Sequence, residues 1–259
     1  MQTLEYREED TTAVVTLHRP DAMNAITEEM LGELRQLCSD LAGRADLRAV
    51  VIAGSDDIFC AGADLKDQAP RLADLAPSEM WVKLSETVET FNAIAALPHP
   101  TIAAISGFAL GGGLELALSC DLRVASPSAK LGLPEAKVGM MPAAGGTQRL
   151  PRIVGASRAA ELMFTGNIID SECARSMGLV NVVDHDWLGA AMGLAERIAR
   201  CSPVAIRLIK DAMWNGLEAG LEAGLRMEAV AVGLLFSTDD RREGLQAFLD
   251  KRAPQWQGS

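Results

Sequence analysis

Three consecutive glycines, Gly111-Gly112-Gly113, stand between an apolar run at residues 101–106 and a helical stretch from about Leu114 to Cys120. Pro100 and Gly107 bound the run, which reads as a buried strand. A strand that turns through glycine into a helix is an α/β element, and it aims the free N–H groups of the helix's first turn at a ligand. Close packing of helix on strand accounts for the glycines equally well. A function must therefore be sought in a combination of segments.

Two glutamates offer one. Glu115 directly follows the glycine run, and Glu135 follows Gly132-Leu133-Pro134. Two carboxylates brought to one spot can act as general acid and base on a single water when their surroundings separate their proton affinities. Each also suits a helix start, where a carboxylate meets the positive end of the dipole with no part in chemistry. Other chemistry-bearing residues are few. His18, His99 and His185 have no second histidine or carboxylate at a helical ligand spacing, so no metal site is expected. Cys38, Cys60, Cys120, Cys173 and Cys201 are scattered without a CxxC pair, which argues against a disulfide framework and for a reduced, cytoplasmic setting. The phosphate-binding, dinucleotide and nucleophile-elbow glycine motifs do not occur.

The rest of the chain alternates strand and helix signals. Residues 4–8 and 13–18 read as a hairpin, Thr27 caps a helix carrying Met30, Leu31, Leu34, Leu37 and Leu41 on one face, and residues 47–53 read as a buried strand. A polar, proline-containing loop at 68–77 and a helix at 78–96 are placed to cover a pocket. Short strands are expected at 121–125 and 129–133, and Gly145-Gly146-Thr147 opens another helix. Helices then dominate apart from 179–183, with breaks in the tail near Gly220, Gly233 and Asp239-Asp240. The division expected is a core over 1–200 and a helical region over 201–259 whose wide apolar faces suit contact with other subunits.

With 259 residues and 49% apolar content the chain can bury a large core. Its net charge of -11 disfavours a phosphate-backbone partner, so no nucleic acid is expected. No uncharged stretch reaches membrane-spanning length, so no membrane partner is expected either.

Phe59-Cys60-Ala61-Gly62-Ala63-Asp64-Leu65, residues 101–121, and Leu133-Pro134-Glu135 through Gly145-Gly146-Thr147-Gln148-Arg149-Leu150 resemble the crotonase, or enoyl-CoA hydratase/isomerase, family. Leu17-His18-Arg19-Pro20 with Asn24-Ala25, Phe164-Thr165-Gly166 with Ala174 and Gly178-Leu179-Val180, and Asp239-Asp240-Arg241-Arg242-Glu243-Gly244 are also similar to it, so the resemblance spans nearly the whole chain. It implies an α/β fold, a spiral of ββα repeats with a C-terminal helical region that forms trimers, often paired into hexamers. It also implies an acyl-CoA substrate, with coenzyme A entering as part of that substrate and no separate cofactor.

The site residues follow from the same resemblance. The backbone N–H groups of Ala63 and Gly112 would form an oxyanion hole for the thioester carbonyl, and Glu115 and Glu135 fall at the two acid/base positions. Ala61, Ala63 and Leu65 would lie along the adenine, Lys66 near the phosphates, and Phe248 and Lys251 would reach a neighbouring subunit's CoA. Asp21 departs from relatives that carry a basic residue there. Retention of both glutamates points to reversible hydration of a 2-enoyl-CoA. The alternatives are a 3-methylglutaconyl-CoA hydratase, an isomerase working with one carboxylate, an RNA-binding relative, or a peptidase using Ser106. Only Arg35 offers a base on the helix at 27–42, which disfavours RNA. Acyl choice is expected to fall to residues 67–84, including Arg71, Met80, Trp81, Lys83 and Leu84, and to Met140-Met141.

Overall fold

The computed structural model describes residues 1–55, 57–64 and 75–259. Strands β1 (Leu4–Glu9) and β2 (Thr12–Leu17) form the expected hairpin, with Leu4 opposite Leu17. Thr27 caps α1 (Glu28–Ala42) by accepting from the Met30 N–H at 3.2 Å, and the helix buries the predicted leucine face. From β2 the large sheet continues in parallel through β3 (Ala49–Ala53), β5 (Thr101–Ile105), β7 (Leu122–Ala125) and β10 (Val182–Val183). A second sheet holds β4 (Ile58–Cys60), β6 (Phe108–Leu110) and β8 (Lys130–Gly132) in parallel, with β9 (Ile168–Asp170) antiparallel to β8.

The chain visits the two sheets in a repeated order. A strand of the large sheet is followed by one of the small sheet and then by a helix: β3, β4 and α2 (Pro77–Ala95), then β5, β6 and α3 (Gly112–Ser119). A third turn runs β7, β8, a 3-10 turn at Glu135–Val138 and α4 (Gly146–Val154). This is the spiral of ββα units. Side-chain alternation explains its stacking. Val50, Ile52, Ala103 and Ile105 point into the main core, while Val51, Ile102, Ala104 and Val124 face a second cluster roofed by Trp187, Ala191 and Ala195 of the helix Trp187–Ala199. Strands covered on both faces are almost wholly apolar, as β3 is throughout and β5 is after Thr101.

The structure adds two strands, corrects one break and leaves one expected loop largely untested. The three-residue strands β6 and β9 carry too little alternation to announce themselves, and pairing with β8 supplies what their sequence lacks. Gly233 does not end a helix but sits inside Leu221–Leu235, because one glycine in a helix interior costs only about 1 kcal/mol. The break comes at Thr238, whose side chain caps the next helix, Asp239–Asp250. Of the expected loop at 68–77, residues 68–74 lie outside the described residues.

The helix Pro203–Ala219 turns at Gly220, with φ of 79°, into Leu221–Leu235, and the pair exposes Leu217, Leu221, Leu225 and Val230. It is tied to the core through Asp121, which accepts from Lys210 Nζ at 2.7 Å and Trp214 Nε1 at 2.8 Å. No helix among the described residues is long and apolar enough to cross a membrane.

Candidate active site

Two backbone N–H groups converge where the first and second spiral turns meet. The Ile26 N–H donates to Gly62 O at 2.8 Å and the Asp64 N–H donates to Ile26 O at 3.4 Å, a parallel bridge that straddles Ala63. The N–H of the straddled residue points away from its bridge partner, here toward the start of α3. Gly112 opens that helix, so its own N–H has no intrahelical acceptor. Neither N–H is taken by an acceptor among the described residues.

Glycine makes this approach possible. Gly62 has φ of 96°, and a β-carbon there would stand 2.7 Å from Leu110 O and 3.2 Å from Gly112 N. A β-carbon at position 112 would lie 3.7 Å from Ala63 N and 3.1 Å from Ile26 Cδ1. The glycine run therefore serves packing and an anion-binding geometry together.

Glu115 sits one turn into α3 and is only 3% exposed. Its Oε1 accepts from the N–H groups of Ala144 and Gly146, both at 2.8 Å, and its Oε2 has no hydrogen-bond partner among the described residues. Burial pushes this carboxyl up, against the pull of those two N–H groups and of the Arg149 charge. Glu135 begins the 3-10 turn after β8, and its buried Oε2 has no hydrogen-bond partner among the described residues. Burial is the main reason its carboxyl is pushed up to about 7, and the charge of Glu115 adds to it against a bond from its own N–H. Gly111, with φ of 52°, leaves room for it: a β-carbon there would stand 3.2 Å from Glu135 Oε1.

Both carboxyls, Ala61, Gly62, Ala63, Gly111 and Gly112 border one cavity of about 440 Å³. Its remaining wall is largely apolar, with Leu31 from α1, Met80 and Leu84 from α2, and Val138, Met140 and Met141 beyond Glu135. Lys83 is also on the wall, and its Nζ lies 2.7 Å from Glu28 Oε1. So the two glutamates, which differ in their surroundings, and the Ala63 and Gly112 backbone singled out from sequence border one cavity.

Other expected residues are placed differently. Trp81 points outward at 75% exposure, unlike Met80 and Leu84. Leu65, Lys66 and Arg71 lie outside the described residues. Ala61 lines the cavity with its N–H already given to Met23 O. Phe248 and Lys251 are at the end of Asp239–Asp250 and do not line this chain's cavity. Ser106 and the three histidines are also off its wall. The sequence reading missed Ile26, Thr27 and Leu31 as wall residues, and the Ala144 and Gly146 amides as holders of Glu115. The Gly145-Gly146 pair opening a helix was the available signal, since it is a second source of free N–H groups.

An α/β spiral with paired amides and paired carboxyls on one apolar cavity is the build of a crotonase-fold enzyme. Residues 7–259 match the family described as enoyl-CoA hydratase/isomerase, and the chain belongs to that family. The mitochondrial methylglutaconyl-CoA hydratase of Mus musculus is 42% identical over 260 residues, covering 97% of this chain and 82% of that protein. The mitochondrial enoyl-CoA hydratase domain-containing protein 2 of Bos taurus is 40% identical, covering 95% and 84%. A crystal structure of an enoyl-CoA hydratase from Bacillus anthracis matches with a TM-score of 0.95 at 40% identity over 100% of both chains.

Proposed function

We propose that the protein adds water reversibly across the double bond of a 2-enoyl-CoA thioester. The observation that carries this reading is that one cavity is bordered both by Ala63 and Gly112, whose N–H groups no acceptor among the described residues takes, and by the two carboxyls of Glu115 and Glu135. Attack of water on the β-carbon moves negative charge onto the thioester oxygen. Two preorganised N–H donors each stabilise that charge by about 3 kcal/mol, and the N-terminal end of α3 adds its dipole.

The carboxyls divide the proton work. Glu115 is favoured as the ionised partner by two N–H donors and Arg149, so its free oxygen orients the water and takes its proton. Glu135, pushed up to about 7, holds the water too and delivers a proton to the α-carbon. After the step Glu115 holds the water's proton and Glu135 is ionised, and proton exchange with solvent restores the pair. Coenzyme A serves as the substrate's handle, along Ala61, Ala63 and Leu65, with Lys66 toward the phosphates. The exposed apolar helices after residue 201 suit a trimer or a pair of trimers, in which a neighbour's Phe248 and Lys251 reach the same CoA.

Crotonyl-, longer 2-enoyl-, 3-methylcrotonyl- and 3-methylglutaconyl-CoA, followed by loss of the conjugated thioester absorbance, test this directly. Hydration of at least one is expected, and loss of none overturns the reading. A carboxylated acyl group is the second reading, favoured by Lys83 on a largely apolar wall that also carries Lys137, Glu28 and Glu86; a preference for 3-methylglutaconyl-CoA that disappears in Lys83→Met would establish it.

A further inference from the structure

Arg149 is half-buried and off the cavity wall, and its guanidinium spans two elements. Nη1 donates to the Ala144 carbonyl at 3.1 Å, and Nη2 donates to Asn92 Oδ1 of α2 at 2.6 Å. The Ala144 carbonyl belongs to the peptide unit joining residues 144 and 145. The units on either side of it carry the Ala144 and Gly146 N–H groups that hold Glu115 Oε1. Each unit is planar, so fixing the middle one restricts how both neighbours can turn. Arg149 therefore grips the segment that aims Glu115.

The two glycines of this segment have separate reasons. Gly145, with φ of 112°, leaves room for the arginine, since a β-carbon there would stand 2.2 Å from Arg149 Nη1. Gly146 leaves room for Glu115, since a β-carbon there would stand 2.9 Å from its Oε1.

We propose that Arg149 is a positioning residue for hydration: braced by Asn92, it holds the Ala144–Gly146 segment so that Glu115 presents its free oxygen to the water. This rests on the reading of Glu115 as the water's base. The guanidinium also acts through charge, opposing the effect of burial on the Glu115 carboxyl. The charged and titratable groups that face Glu115 are Arg149 from α4 and Glu135 from the 3-10 turn. A plain tie between α2 and α4 would make the same bonds, so the test must read Glu115 rather than stability alone.

Variants Arg149→Met, Arg149→Lys, Asn92→Ala, Glu115→Gln and the double variant of Arg149→Met with Glu115→Gln are assayed as full chains with an enoyl-CoA that the parent protein hydrates. Misplacing a reacting group by about 1 Å costs roughly 100-fold in rate, so Arg149→Met is expected to lower kcat on that scale with KM unchanged. Its acidic limb of kcat moves to higher pH. Arg149→Lys keeps the charge but not the fork, so its limb stays near the parent position while kcat remains low. Asn92→Ala removes only the brace and lowers kcat at unchanged thermal stability. In the Glu115→Gln background Arg149→Met adds little further loss.

An unmoved acidic limb in Arg149→Met, or losses that multiply in the double variant, overturns the proposal while leaving Glu115 as base. Near-normal hydration by Glu115→Gln removes the reading beneath it instead. Should Arg149→Met fail to fold, parent-like kcat in both Arg149→Lys and Asn92→Ala still overturns it.

Discussion

Gly146 lies directly against Glu115: its N–H donates to Oε1 at 2.8 Å, and a β-carbon in its place would stand 2.9 Å from the same oxygen. The residue that holds the carboxyl can do so only because it has no side chain. That β-carbon would also meet Pro142 Cβ at 2.9 Å and Leu133 Cδ1 at 3.0 Å, so little can give way. Gly146→Ala is expected to cost about 1–3 kcal/mol in stability through overpacking. Turnover of the folded variant should also fall, by about 100-fold, because Glu115 is displaced from its aim. Denaturant unfolding and steady-state hydration measure the two effects separately. Parent-like kcat in a folded variant would show that Glu115 needs no such support.

The alanine before Asp64 should matter through its backbone alone. Ala63→Pro removes the N–H that faces Gly112 while leaving a small apolar side chain. Removal of one oxyanion donor costs about 100- to 1000-fold in kcat. Ala63→Ser, which keeps the N–H, is the control and should hydrate at close to the parent rate. The bridge to Ile26 uses the Gly62 carbonyl and the Asp64 N–H rather than the Ala63 N–H, so the proline variant retains those two bonds. If both variants hydrate equally, the Ala63 N–H has no part in the reaction.

The strand–glycine–helix unit was legible because each part carries a strong local signal: a strand apolar but for its first residue, glycines at the turn, and a helix entered at once. Glu115 and Glu135 were visible as candidates because so few other catalytic residue types compete. Their difference was not visible. It arises from Ala144, Gly146 and Arg149 on one side and an unpartnered Oε2 on the other, and those contacts depend on how the third spiral turn stacks on the second. Strands β6 and β9 escaped for the same reason, since their pairing with β8 is a tertiary fact.

Glu135 gives the pH dependence a sign. Its carboxyl is pushed up to about 7, so the form able to protonate the α-carbon is depleted above that pH and kcat/KM should fall there. Stability follows the same group. The folded state binds this proton more tightly than the unfolded state, where a glutamate has its ordinary value of 4.5, so the stabilisation is full below that value and is lost as pH rises to about 7. Glu135→Gln should therefore melt higher than the parent protein at pH 8 and show a flatter dependence of melting temperature on pH, while hydrating poorly throughout. An unchanged pH dependence of melting would place the ionisation elsewhere.

Asp121 and Lys210 are far apart in sequence, and their pairing is what fixes the helix Pro203–Ala219 on the core. Their side chains are 13% and 11% exposed, Nζ lies 2.7 Å from Oδ2, and Lys210 also donates to the His99 carbonyl at 3.0 Å. The same Asp121 Oδ2 accepts from the Thr101 N–H at 2.7 Å and hydroxyl at 3.0 Å, and Oδ1 accepts from Trp214 Nε1. Asp121 thus joins the start of β5 to the first C-terminal helix. Removing one partner of a largely buried pair strands the other charge, at a cost of about 3–5 kcal/mol where burial is complete. Lys210→Met should approach the lower figure, because Asp121 keeps three of its donors. Asp121→Asn should cost more, because its NH2 group must face donors either way round, Trp214 Nε1 at one position or Thr101 and Lys210 at the other, and because the charge that pairs with Lys210 is lost. Urea unfolding of the three proteins checks the order. A loss for Asp121→Asn no larger than for Lys210→Met would mean that the lysine, and not the shared carboxylate, carries the junction.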